Sequence, residues 1–576
     1  MQKNRNIFFL IILFISLVQY SYAQNKMLLL NLKTDFGAKG DGKTNDQQAF
    51  EKAAKFICNR KIIENKITYR GNVKLFIPAG IYIVGYQKNL IGKIDTANNN
   101  YYKFGDDNYS DMIGCYQGVP AFIFYSNDAT EKVKNVIICG DSNKTIIRFK
   151  DKMYFGAFDP QTGLVPINLN KYNRVEENLN FYLDKSGNDT RNLKYEIKNN
   201  AYHTPFATNP TLSLLPRAYV GDVIYFSYKS FYENISLINL VLDGNSNNYI
   251  LGGNIGLPAN KLSKRYVETY SGGIQIYNVN GLNIENVTAT NFGLDGIMFR
   301  GYKMKDSISG CYNVVLKNVI CTKNGRGGLA VTNVNNLIVY NSNFNENATG
   351  ALQVNPGFGI NLEPEMPPVC NTQFYNCKVL NNGGVAISMG YPTQETSYNH
   401  HFINCIIVAA HSNFAIVNAS GACLFKNCNI YGSVLDYGVK FKTNKSNLYS
   451  NCAFSDIFLG KKVSSNDNFL WSCKKNNSLL NCTFTYTYTA RALYLATITE
   501  STTGKEIPTL NEMITIKNCT FYNKNVGNKT FADKSEAAIF ENNVFYYPKN
   551  NSLEIKCTNT PPFEMNIDKG KGLILK

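Results

Sequence analysis

Between Asp295 and Glu365 the chain concentrates residues with acid–base chemistry: Asp295 and Arg300 in LDGIMFRG, Arg326 in NGRGGLAVTN, and Asn361 and Glu363 in GFGINLEPE. Two carboxyl groups can hydrolyse a glycosidic bond when they stand roughly 5 to 9.5 Å apart, one protonating the leaving oxygen and the other serving water or the sugar. Asp295 and Glu363 are the candidate pair, with Arg326 between them in sequence. β-Elimination would instead need a cation to neutralise a uronate carboxylate and a base for the adjacent C–H proton. Arg300, Arg326, Tyr277, Lys440 and Lys442 have the chemistry for it once neighbours tune their pKa values.

These residues sit on a repeat. Gly273, Gly296, Gly328, Gly359, Gly384 and Gly438 each open a short alternating apolar stretch, and Phe414 to Asn418 fills a gap in the series. A second series pairs Asn with Cys at Asn376-Cys377, Asn404-Cys405, Asn427-Cys428, Asn451-Cys452, Asn481-Cys482 and Asn518-Cys519, spaced by 28, 23, 24, 30 and 37 residues. Earlier copies keep the asparagine at Asn286, Asn318 and Asn341. A period with a floor near 23 and longer outliers is what a solenoid gives when loops are inserted at its turns. Residues two apart in a strand share a face, so each Cys and the apolar residue after next (Val379, Ile407, Ile430, Phe454, Phe484, Phe521) point inward. Adjacent coils give parallel rather than converging Cβ vectors, which predicts buried thiols instead of disulfides, and the asparagines form a structural ladder.

With the glycine as origin, positions two and four residues later face outward. The first column is Gln275, Met298, Ala330, Asn361, Ala386, Lys440, and the second is Tyr277, Arg300, Thr332, Glu363, Ser388, Lys442. Such a mixture of amide, aromatic, acidic and basic groups around small residues suits an extended sugar chain. It also has a plain explanation, since outward positions are polar because they are wet. Asp295 and Glu363 lie two coils apart and five residues apart along the strand, about 10 Å by about 16 Å. That is too wide for a catalytic pair, so a third acid is needed, from Glu268, Asp243 or Glu365; Asp243, in LDGNSNN, reads as a turn residue.

The start of the chain addresses it. Lys3 and Arg5 precede the apolar run Ile7 to Val18, which ends in Ser21-Tyr22-Ala23. This reads as a secretory signal over residues 1–23, leaving a single domain over 24–576 that is exported to the periplasm or the medium. No other run approaches the roughly 20 apolar residues of a membrane span. With 59 basic and 42 acidic residues the net charge is +17, which favours polyanions or reflects biased composition. The basic residues are scattered and carry no recognised motif, which excludes nucleic acid as the expected partner. Residues 87–130 and 151–218 break the period and read as insertions folded over the solenoid. Asp106, Asp107 and Asp111 could hold calcium but lack the spacing of a loop motif; no cofactor or metal is expected, and His400-His401 is not placed like a ligand pair.

The segment DFGAKGDGKTND, followed by the amphipathic run Ala49, Phe50, Ala53, Phe56, Ile57 and then FIPAGIY, resembles the N-terminal signature of the pectate-lyase-like superfamily. That resemblance implies an all-β right-handed parallel β-helix whose open end is covered by a short helix. LDGI looks like the aspartate-glycine strand start of polygalacturonases in that superfamily, which implies a catalytic role for Asp295. GRGGLAV is similar to their glycine-histidine-glycine segment, with Arg326 where the histidine would stand. Their paired aspartates and arginine-x-lysine strand have no counterpart here. The expectation is a polysaccharide-degrading enzyme acting on an extended, anionic polymer, as a hydrolase or as a lyase; a non-catalytic carbohydrate-binding or adhesive solenoid is the reading from another class.

Overall fold

The computed structural model describes residues 27–64, 67–92, 116–128, 131–158, 163, 217–251, 265–266, 271–303, 308–350, 352–354, 357–365, 368–390, 396–410, 414–437, 446–457, 469–473, 477–489, 491–495, 514–524, 530–535, 538–546, 553–557, 567–568 and 573–575. The signal reading at residues 1–23, the run Asp106 to Asp111, Glu268, Lys440 and Lys442 lie outside them.

Two long sheets, of 28 and 14 strands, carry most of the described chain. Successive coils pair parallel and in register, as in Ile274↔Ile297↔Leu329↔Ile360. Each coil contributes one strand to the 14-stranded sheet and then a bent pair to the larger one, for example Asp295–Arg300, Tyr312–Lys317 and Ile320–Thr322.

Asparagine makes the bend. Asn286, Asn318, Asn341, Asn376, Asn404, Asn427, Asn451, Asn481 and Asn518 all have φ between 48° and 56°, the left-handed region that asparagine tolerates better than other side chains. Most of these amides bond to the next along the axis, as Asn318 does to Asn286 at 2.9 Å and Asn427 to Asn404 at 3.1 Å, so the expected ladder is present. A second ladder, which the repeat did not reveal, is buried at another corner: Asn324, Asn347 and Asn382 bond Nδ2 to Oδ1 at 3.0 Å per step. It accounts for the strand glycines. A Cβ on Gly296, Gly328 or Gly359 would lie 2.9, 3.0 or 2.7 Å from the Nδ2 of Asn324, Asn347 or Asn382.

The interior follows the predicted parity. Val379, Ile407, Ile430, Phe454, Phe484 and Phe521 are all buried, and Phe454, Phe484, Phe521 and Phe545 stack at 4.6, 4.7 and 5.2 Å, close to the rung spacing. Each such side chain contributes about 1.5–3 kcal/mol by leaving water. Cys377, Cys405, Cys428, Cys452, Cys482 and Cys519 are free, buried thiols, each donating to a backbone carbonyl, as Cys428 does to Phe402 at 3.3 Å. The helix Gln47–Asn59 packs Phe50 edge-on against Tyr82 at 5.9 Å. Phe56, expected on its apolar face, is 44% exposed and touches Phe36.

Two register expectations and one insertion boundary need correction. Val385–Met389 sets Ala386 beside Gly359 and Ser388 beside Asn361, two residues from the alignment on Gly384. Ala386 therefore leaves the first outward column, and Ser388 takes its place there instead of standing beside Glu363. Phe414–Asn418 supplies the missing strand as expected, but the next rung is Ser433–Asp436 rather than a strand opened by Gly438. Val434 fills the core and Asp436 is held inside by Asn418, Asn447 and Tyr449, so Leu435 occupies the position assigned to Lys440. The solenoid also resumes within 87–130, because Phe122–Phe124 already belongs to the 14-stranded sheet. The described ends of both insertions join one five-stranded sheet of Tyr86–Asn89, Tyr116–Val119, Tyr154–Ala157, Arg217–Tyr219 and Ile250–Leu251.

Candidate functional site

Along the first edge of the 14-stranded sheet one register column reads Asp222, Gly272, Asp295, Gly327, Phe358. Asp222 and Asp295 share that column with a single side-chain-free residue between them. At roughly 4.8 Å per rung their backbones stand about 10 Å apart. The Asp222 carboxyl leans over the gap, since a Cβ on Gly272 would lie 2.3 Å from its Oδ1.

Asp222 is 3% exposed and Asp295 2%. Burial pushes the Asp222 carboxyl up to about 7; Arg300 opposes the rise, Asp295 adds to it, and the Gly272 N–H opposes it. A carboxyl so placed holds its proton near neutrality, as a general acid must. Asp295 is held differently. Arg326 donates from Nε to its Oδ1 at 3.0 Å and from a terminal nitrogen to its Oδ2, a bidentate pair that favours the carboxylate. The guanidinium lies over the Phe358 ring at 5.7 Å and against the Met298 sulfur at 4.0 Å. Gly327 admits that ring, because a Cβ there would sit 2.1 Å from it.

The other anticipated residues divide. Asn361 donates to Glu363 at 2.7 Å, and Arg300 reaches Glu365 at 3.8 Å. Tyr277 accepts from Gln275 at 3.1 Å and packs edge-on to Tyr225 and Tyr228 at 6.0 and 6.1 Å. Asp243 pairs with Arg148 at 2.8 Å and accepts from the Asn245 N–H at 2.9 Å, the work of a turn residue. His400 is a core residue between Thr372 and Ser397, both at 2.9 Å, and burial lowers its pKa to about 3. Among the described residues no three His, Cys, Asp or Glu side chains group as metal ligands.

Sequence reasoning missed Asp222. Its strand, Gly221–Phe226, carries valine where later coils carry the strand glycine, and it follows an aperiodic stretch. The apolar alternation of GDVIYF was the available signal. The outward columns are also less open than expected: Gln275, Met298, Ala330, Thr332 and Asn361 are all at least 92% buried, and Met298, Ala330 and Phe358 form a small apolar cluster of their own.

A family model described as a right handed beta helix region matches residues 258–419. No curated protein matches the sequence. Among solved structures, the A-module of mannuronan C-5 epimerase AlgE4 from Azotobacter vinelandii is similar at 12% identity and TM-score 0.44, with 82% of this chain and 100% of that one covered. The A-module of AlgE6 from the same organism is 13% identical at TM-score 0.43, covering 95% and 99%. The pre-mature gene product 12 of bacteriophage phi29 is 12% identical at TM-score 0.44, covering 98% of this chain and 60% of that one. With its parallel coils in register and its central coils matched by that model, the chain is a right-handed parallel β-helix.

Proposed function

We propose that this protein is an exported glycoside hydrolase that cuts a polysaccharide within the chain, with Asp222 as the general acid and Asp295 as the base that activates water. The observation that carries this reading is the column Asp222, Gly272, Asp295. It replaces Glu363 as the partner of Asp295 with an acid on the same strand edge. Backbones about 10 Å apart, with one carboxyl leaning inward, suit the roughly 6.5–9.5 Å of an inverting pair rather than the 5–5.5 Å of a retaining one. Arg300 and Asn361 stand on the same sheet, where they can contact sugar hydroxyls.

Elimination is less well served, because Arg326, the cation nearest the acids, is committed to Asp295. The binding or adhesive reading draws support from that same closed pair, which is also what a structural ion pair looks like.

Polymers incubated with the mature protein separate these readings by their products. New reducing ends, released with inverted anomeric configuration and without the ultraviolet absorbance of an unsaturated sugar, are expected. An absorbance rise would replace the hydrolase with a lyase, and intact polymers throughout would leave the binding solenoid.

A further inference from the structure

We infer that the polymer taken at this site is uncharged, a substrate class that rests on the hydrolase reading above. The charged groups around the acid column are already matched with one another. Among the described residues, Arg326 pairs with Asp295 and Arg300 with Glu365, Asp222 feels the charge of both Arg300 and Asp295, and Lys229 lies over the Tyr228 ring.

Both guanidiniums are already engaged by carboxylates. Arg326 spends two donors on Asp295, in a pair only 7% and 2% exposed, and Arg300 lies 3.8 Å from Glu365 while its charge also reaches Asp222. Among the described residues both guanidiniums already have carboxylate partners, so a uronate or sulfate group beside the buried Asp295–Arg326 pair would be a further anion there. Burying such a group without its own partner is strongly unfavourable. A neutral sugar carries no such cost. The amides Gln275 and Asn361 and the phenol of Tyr277 offer the donors and acceptors its hydroxyls use.

The chain carries a net charge of +17. It would draw polyanions to the protein at low salt, so binding has to be measured where surface charge is screened.

Affinity electrophoresis of the Asp222→Asn variant, through gels cast with neutral glucan, galactan, mannan or xylan and with uronate or sulfated polymers at high salt, reads the site directly. Retardation by at least one neutral polymer, and none by the anionic ones, is expected. Retardation by anionic polymers alone, or by none, would overturn the inference. Reducing-end release by the unsubstituted protein on the same panel keeps the two claims apart. Cleavage confined to anionic polymers would remove the neutral substrate and keep the hydrolase; neutral binding without cleavage of any polymer would remove the hydrolase and keep the neutral ligand.

Discussion

The coils from Cys377 to Cys519 and those from Asp222 to Phe358 are built on one repeat, yet they use it in opposite ways. In the first group neighbouring rungs repeat one another: asparagine on asparagine, thiol on thiol, and phenylalanine on phenylalanine from Phe454 to Phe521. Polar groups there are satisfied by the copy above or below, as Asn427 is by Asn404. In the second group the column breaks. Aspartate stands at two of five positions, glycine at two, and a phenylalanine ring folds over the last glycine. A repeat defines what packing alone asks for, so departures from it that bring buried charge mark where something other than packing is served.

That contrast can be broken at several points. The largest stability loss is expected from Arg326→Ala, which leaves Asp295 buried without its partner and costs about 3–5 kcal/mol in urea unfolding. A loss below about 1 kcal/mol would mean the pair is solvated. Gly272→Ala comes next. Its Cβ would meet the Asp222 carboxyl, and the overpacking costs about 1–3 kcal/mol while displacing the acid, so activity should fall far more than the melting temperature does.

Opposite signs of pH dependence distinguish the two regions. Asp222 has a raised folded pKa of about 7, so the native state binds more protons than the unfolded one between about pH 4 and 7, and this group's contribution to stability falls as pH rises through that window. His400 has a lowered folded pKa of about 3, so its contribution falls as pH drops from about 6.5 towards 3. Melting curves across pH should show Asp222→Asn flattening the alkaline decline and His400→Gln flattening the acid one. A swap of these signs would contradict the placement of both groups. The smallest effect is expected at a single ladder rung: Asn427→Ala removes two exposed amide bonds, one to Asn404 and one from Asn451, and strains a left-handed residue, for about 1–2 kcal/mol, with activity unchanged.

Much of the fold was legible because it repeats. The Asn-Cys spacing located strand corners, the inward apolar residues and the thiol column, and all of these appear in the structure. What the sequence hid was non-local or irregular. The buried ladder of Asn324, Asn347 and Asn382 has no fixed neighbour to flag it, and only three dimensions show that the strand glycines make room for it. Gly384 misled the register because a glycine can mark a turn as well as a strand start, and the strand beside Gly359 is set by Ala386; Gly438 lies outside the described residues, and the rung expected from it is Ser433–Asp436. Asp295 and Arg326 were named as candidates from the sequence, but their pairing one coil apart is seen only in the structure. Asp222 was lost because its coil lacks the glycine used as origin and a long insertion separates it from the clear repeats.

The pH dependence of kcat/KM for polymer cleavage, compared between the unsubstituted protein and Asp222→Asn, tests the central claim most directly. If Asp222 is the acid, cleavage declines above about pH 7 as it loses its proton, and the variant loses about 10²–10⁴-fold in rate together with that limb. A variant that cleaves at the original rate with the same profile would show that Asp222 donates no proton to the leaving group.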